Sequence, residues 1–345
     1  VSNSLPAFSQ SSLAGKRRQI LIGMFVIVLA IVGVIIVTKP QDYSDSRPGP
    51  EVSIVVANGE IGSAIATDLE KQGVVKKASV FVAKLTASQL GRGIAPGIHR
   101  IQTHISSTLA LTQLLDQKRI ADSLVVKEGS TLSDVLKSLH SNASLVQRDG
   151  IPSLKPPITN PGNSLEGQLF PLRYSFAPQT STHDALDQML GHFVINAKST
   201  GLLGGYEKYT AYQVLTIASM VQIEGDPTNF SKVSRVIYNR LKLGMPLQLN
   251  STVQYAGNLR GRIGLSNKAT QIRSPYNTYI HTGLPPTPIS NPGADAIAAS
   301  LKPVDGNWLY FITVKPHDTR FTNDFALFQT WNTLYNNNVA SGAFK

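Results

Sequence analysis

From Ile20 to Val37 every residue is apolar or glycine. At 1.5 Å per residue the run spans roughly 27 Å, enough for the hydrocarbon core of a bilayer. A buried soluble helix is rarely apolar on every side for so long. A cleaved signal peptide has an apolar region of about 7–15 residues and a small-residue cleavage pattern, and that pattern is missing before Lys39-Pro40-Gln41. Residues 20–38 are therefore expected to form a single transmembrane helix. Lys16-Arg17-Arg18 precede it, whereas Asp42 and Asp45 follow Lys39. The positive-inside rule then makes residues 1–19, a polar tail with disordered character, cytoplasmic and places the rest outside.

Beyond a polar linker at 39–50 the pattern changes to short periods. Val52, Ile54 and Val56 alternate as in a strand, Asn58-Gly59 turns, and Ile61 to Gln72 reads as a helix with Ile65 and Leu69 inward. A second helical stretch runs over Ser79 to Gln89, and Gly97 to Ile101 returns as a strand. This predicts a small β-α-α-β module over 51–105. A mixed domain follows over 106–345. Its expected elements are a helix at Thr108–Gln117, a strand at Ser123–Lys127 and a helix at Thr131–Leu139 capped by Ser130 or Thr131. Glu128 is expected to be a turn or capping residue. Gln147 to Asn163 carries four prolines and reads as a loop, and His183 to Ser199 as a helix.

Val214, Ile217, Ala218 and Val221 recur at i, i+3, i+4 and i+7, predicting an amphipathic helix from Ala211 with one apolar face. Glu224 falls on the flank of that face. A carboxyl group there resists ionising, because burial disfavours the charged form; the same spacing also fits a surface glutamate near a helix end. Gly225-Asp226-Pro227 ends the helix, with Asp226 as a turn residue. Ser231 to Leu243 forms a second helix, its Val233, Val236, Ile237 and Leu241 inward and Gly244 as its stop.

Composition narrows the chemistry. The 345 residues include no cysteine, so disulfides, thiol nucleophiles and thiolate metal sites are excluded. An apolar content of 42% supports a sizeable core, and a net charge of +11 suits an anionic partner such as nucleic acid, acidic lipid or acidic wall polymer. Its seven histidines include no pair at i, i+3 or i, i+4, and no P-loop, G-x-S-x-G elbow or H-E-x-x-H is present. No metal or cofactor is expected. His281 and the Arg260-Gly261-Arg262 loop read as surface features, with glycan or wall-polymer contact as the other option.

The motifs carry more. The run ASMVQIE, then VIYNRLKLGMPLQ and STVQY, resembles the signature of the YceG/MltG-type endolytic murein transglycosylases. SPYNTY (Ser274–Tyr279), GLPPTPISNPG (Gly283–Gly293), LYFIT (Leu309–Thr313) and, upstream, EGQLFPLRY (Glu166–Tyr174) resemble the same family in the same order. The resemblance implies an α+β fold: a single N-terminal transmembrane helix, a LysM-like β-α-α-β module, then a mixed α/β catalytic domain. The LysM-like module is either a glycan contact or a spacer. The implied setting is the bacterial cytoplasmic membrane with the catalytic domain outside. Implied partners are peptidoglycan glycan strands and cell-wall synthase or divisome or elongasome proteins, with no nucleic acid.

The implied chemistry uses one carboxyl group. Glu224 protonates the leaving glycosidic oxygen, then takes the proton from the muramoyl O6 hydroxyl as it attacks C1, giving a 1,6-anhydro end without water. Ordinary glycoside hydrolysis instead uses two carboxylates. Polar side chains must hold the sugar with O6 in line. Gln248, Asn250, Ser274, Tyr276, Asn277 and Tyr279 lie on the matching motifs and are the substrate-binding candidates, joined by Glu166 upstream; loop-structuring is the other role open to them. Three departures stand out. Gln222-Ile223-Glu224 replaces the Glu-x-Glu of many members, Leu249-Asn250 and Leu172-Arg173 replace Thr-Asp and Asp-Thr, and Phe321-Thr322 is what remains of a C-terminal H-x-F-x-x-T. A catalytically inactive peptidoglycan-binding scaffold and a water-using muramidase are the alternatives.

Overall fold

Period-two burial is visible at the start of the computed structural model, which describes residues 42–143, 145–146, 154–259 and 269–344 together with Met24. In strand β1 (Glu51–Val56), Ile54 and Val56 are buried while Ser53 and Val55 are exposed. The tail at 1–19, the apolar run at 20–38 and the Arg260-Gly261-Arg262 loop lie outside the described residues. Among the described residues no helix is long and apolar enough to cross a membrane.

The chain divides into two compact units, one closing at Ile120 and the other beginning at Ala121, with Pro96–Ile98 grouping with the second. In the first, helix α1 (Gly62–Lys71) buries Ile65, Ala66 and Leu69, and α2 (Ala78–Ser88) buries Phe81 and Leu85. Strand β2 (Gly97–Gln102) completes the β-α-α-β order. Its His99 is fully buried, with Nε2 2.8 Å from the Ala95 carbonyl, and burial holds the imidazole below its usual pKa. Helix α3 (Ser107–Leu115), capped by the Ser106 hydroxyl, adds Ala110, Leu111 and Leu114 to the same core as Ile54, Leu69 and Phe81. Periodicity locates such a helix but not which core it covers. Strand β3 (Ile120–Ala121) closes the sheet order β1-β2-β3.

The second unit is a mixed α/β body, its strands short and its helices carrying the core. It begins with β4 (Leu124–Val125) and α4 (Leu132–His140), the latter started by a capping box between Thr131 and Asp134. β5 (Leu145–Val146) pairs in parallel with β7 (Thr180–Ser181), and β4 pairs antiparallel with β6 (Arg173–Tyr174). Helix α5 (Thr182–Thr200) ends at Gly201, whose φ of 82° only glycine adopts without cost.

Helix α6 (Ala211–Glu224) differs from its expectation: every residue from Val214 to Val221 is buried, not one face of them. It starts in a capping box between Thr210 and Gln213 and packs against α7 (Phe230–Lys242) and, beyond α8 (Asn250–Ala256) in the chain, α9 (Ala294–Leu301). Enclosure by neighbours explains why Thr216 and Ser219 are also interior: each returns its hydroxyl to a backbone carbonyl, Thr216 to Tyr212 and Ser219 to Thr216. An antiparallel hairpin, β8 (Tyr310–Lys315) with β9 (Asp318–Thr322), and helix α10 (Phe325–Ala340) complete the unit.

Candidate active site

Glu224 is the last residue of the buried helix α6, and Gly225 turns the chain away in extended conformation. Eight consecutive buried residues thus hold a carboxyl group at a helix C-terminus, where the backbone dipole disfavours negative charge. The side chain is partly accessible yet closely surrounded. Burial raises its pKa above the ordinary carboxylate value, and Ser251 pulls it partly back. The Ser251 backbone N–H, in the first turn of α8, donates to Glu224 Oε1 at 3.1 Å. The Ser251 hydroxyl is buried beside it without a regular hydrogen bond. No neighbouring charge is among the causes of the Glu224 shift.

Helix α8 gathers most of the remaining candidates. Asn250, its first residue, accepts a 2.7 Å hydrogen bond from the Tyr279 hydroxyl through Oδ1. Burial raises the Tyr279 pKa, the Glu224 charge raises it further and the buried Arg240 opposes both. Tyr255, one turn beyond Ser251 on the same face of α8, donates from its hydroxyl to Glu166 Oε2 at 3.0 Å. Gln248 precedes the helix with its side chain exposed and a φ of 49°, a left-handed conformation that costs a non-glycine residue free energy. Its N–H donates to the Thr278 carbonyl at 3.0 Å, which ties the approach to α8 onto the Ser274–Tyr279 loop.

The other candidates shape that loop. Asn277 is fully buried: its amide donates to the carbonyls of Thr270 and Ile272, and its oxygen accepts from the Tyr279 N–H. It therefore sets the position of Tyr279. Ser274 caps the turn by accepting from the Tyr276 N–H, and the Tyr276 hydroxyl pairs with Thr287. Glu166 is 4% exposed and accepts from the Leu132 N–H at 3.0 Å as well as from Tyr255. Its carboxylate joins the start of α4 to α8. A cavity of about 770 Å³ is lined by Glu166 and Tyr255 with Leu132 and Leu136, but Glu224 does not line it.

Four residues outside the substrate-binding candidates brace or flank the site. Gln222 accepts the Gly293 N–H at 2.8 Å and donates to Glu128 at 3.2 Å, clasping the end of α6 to the start of α9. Glu128 lies so close to the Gly293 Cα that a Cβ there would overlap its carboxylate. Asp226 is a turn residue, accepting from Thr228 and Asn229, and these bonds, led by the Thr228 hydroxyl, lower its pKa. Arg240, 7% exposed, donates to the carbonyls of Leu309, Pro246 and Leu247 and stacks 5.2 Å from the Tyr310 ring centroid. Its signal was present in the sequence: with Val233, Val236 and Ile237 it completes the inward i, i+3, i+4, i+7 row of α7.

Among the described residues no cluster of three histidine, aspartate or glutamate side chains is placed to hold a metal ion. The second unit can thus present one raised carboxyl group, an amide-bearing helix start and a tyrosine hydroxyl to a ligand, which suits proton transfer.

The chain is similar to several known proteins. Two proteins named endolytic murein transglycosylase, from Streptococcus pneumoniae and Bacillus subtilis, are 31% and 29% identical over 304 and 296 residues, covering 78% and 79% of this chain. The chain spans about half the length of the pneumococcal relative, 55%, and 81% of the Bacillus protein. A crystal structure of a yceG-like protein from Listeria monocytogenes shares the fold, with a TM-score of 0.50 and 24% identity over 81% of this chain and 98% of that one. The model of the YceG-like family matches residues 54–332, and the chain belongs to that family.

Proposed function

We propose that this chain is a membrane-anchored endolytic peptidoglycan transglycosylase. It cleaves the MurNAc–GlcNAc bond of nascent glycan strands without water, leaves 1,6-anhydroMurNAc ends and acts as a terminase of elongation beside the cell-wall synthesis machinery. Residues 20–38 anchor it in the cytoplasmic membrane with the catalytic domain outside. The observation that carries the reading is the Glu224 carboxyl: raised by burial, steadied by one backbone N–H and shifted by no second charge. Such a group holds its proton long enough to give it to the glycosidic oxygen, and as a carboxylate can then take the O6 proton. Gln248, Asn250 and Tyr279 face the sugar, while Ser274, Tyr276 and Asn277 keep Tyr279 in place.

A water-using muramidase calls for a second carboxylate. Glu166 addresses the same face of α8, but both its oxygens already accept hydrogen bonds from Leu132 and Tyr255, so it is a poor base for a water. Mass spectrometry of purified peptidoglycan digested by the full chain separates the readings. Anhydro ends are expected. Reducing ends would point to hydrolysis, and unaltered strands to a binding scaffold.

A further inference from the structure

A cleft of about 660 Å³ opens at the N-terminal end of α6, between Tyr209 and Tyr212 on one side and Leu284, Pro285 and Pro286 on the other. Both tyrosines are half-buried, and the Tyr212 hydroxyl is turned into the protein, leaving its ring to line the space. Lys208 stands at the mouth, its Nζ 5.7 Å from the Tyr209 ring centroid. No aspartate or glutamate is among the described lining residues; the neighbouring Glu207 does not line the cleft. Flat aromatic walls with a single exposed ammonium suit a ligand with apolar ring faces and a carboxylate.

The cleft is aligned with Glu224. Gln213, which lines it, lies eleven residues before Glu224 on the same helix. That spacing is about 16 Å along the axis and about 20° around it, so both occupy one face of α6. A second track connects them. The Thr278 carbonyl holds Gln248 beside the site, Thr282 pairs with Pro246, and the same segment continues into Gly283 to Pro286 on the cleft wall.

We propose that this cleft is a distal subsite for a carboxylate-bearing saccharide strand, gripping the strand at one end of α6 while Glu224 acts on it at the other. The inference rests on the transglycosylase reading above and adds a length requirement: a strand must fill both places to be held fully. Its sugar faces lie on Tyr209 and Tyr212, and Lys208 meets a carboxylate of either the lactyl group of a stem-free muramoyl residue or a peptide stem.

The test uses the full chain and uncross-linked peptidoglycan strands, long and short, with stems and stripped of them. Lys208→Glu reverses the charge, and Thr159→Trp, at an exposed position on the rim, fills the cleft. Each should lower the long-to-short ratio of kcat/KM about tenfold, the scale of one lost charge contact, and weaken direct binding of long strands similarly. For Lys208→Glu, a loss confined to stem-bearing strands assigns the carboxylate to the stem, one confined to stripped strands, whose lactyl carboxylates are free, assigns it to the lactyl group, and a loss on both shows that either is taken; each supports the site. Folded variants that bind and cleave long strands as the wild type does would overturn it. A wild type that binds strands but cleaves none would sink the transglycosylase reading, while the binding arm would still judge the cleft.

Discussion

Glu224→Gln should separate the chemistry of this residue from its structural burden, because the two respond in opposite directions. The amide keeps an oxygen to accept the Ser251 N–H, now 3.1 Å from Oε1, but it can neither deliver nor usefully take a proton. General acid–base catalysis is worth about 10²–10⁴-fold, or about 3–5 kcal/mol of barrier, and on the proposed mechanism one residue serves both steps. Turnover should therefore fall by at least two orders of magnitude. Stability should move the other way. Burial raises the folded-state pKa above its ordinary value of 4.5, so the folded protein holds this proton more tightly than the unfolded chain. The resulting stability is complete below the unfolded pKa and is lost as pH rises through the folded value, at about 1.4 kcal/mol per unit of elevation. Glutamine does not titrate, so the variant should gain on the wild type across that window and keep its lead above it. Urea unfolding of both proteins from pH 4 to 8, beside mass spectrometry of anhydro ends, reads both effects. A variant within tenfold of wild-type turnover would refute the catalytic assignment, and stability curves running parallel over the whole range would refute the buried-carboxyl argument.

Gln222→Ala should lose about 1–3 kcal/mol of stability in urea, through the Gly293 N–H and Glu128 it leaves unpaired, while turnover stays within tenfold. Arg240→Lys should cost at least about 2 kcal/mol by calorimetry, since one ammonium cannot replace a planar fork serving three carbonyls; an unchanged melting temperature would contradict this. His99, depressed by burial, takes up its proton more readily unfolded than folded. Stability of the first unit should therefore fall as pH drops below about 6.5, seen as lower hydrogen-exchange protection factors in β2 once intrinsic rates are corrected for pH, and His99→Gln should remove that part of the pH dependence.

The helices at 182–200, 211–224 and 230–242 were legible to within a residue or two because their signals are local: Ser181 and Thr210 cap two of the starts, and Gly201, Gly225 and Gly244 mark the stops. Helix α8 was not. Its seven residues are mostly polar, and it is held by distant groups, Glu224 on Ser251, Glu166 on Tyr255 and Thr278 on Thr252. The motifs located Asn277 and Glu166 without distinguishing a ligand contact from a brace. That difference depends on partners such as Leu132 and Tyr255, 34 and 89 residues from Glu166. The amphipathic reading of α6 failed for a related reason: Leu215, Thr216 and Ser219 look like an outer face until neighbouring helices enclose them.

Enclosure of α6 also restricts how this gene product can change in length. Its first turn is pinned by Thr210 and Gln213 and its last by Gln222 on Gly293. One residue inserted between these anchors would swing Glu224 about 100° around the axis and advance it about 1.5 Å. The carboxyl would then leave Ser251, and a stretch of core side chains would be turned out of their places. Substitutions along the helix can be absorbed one at a time, but insertions and deletions cannot, so tolerated length differences should be found in connecting segments and not between Thr210 and Gly225.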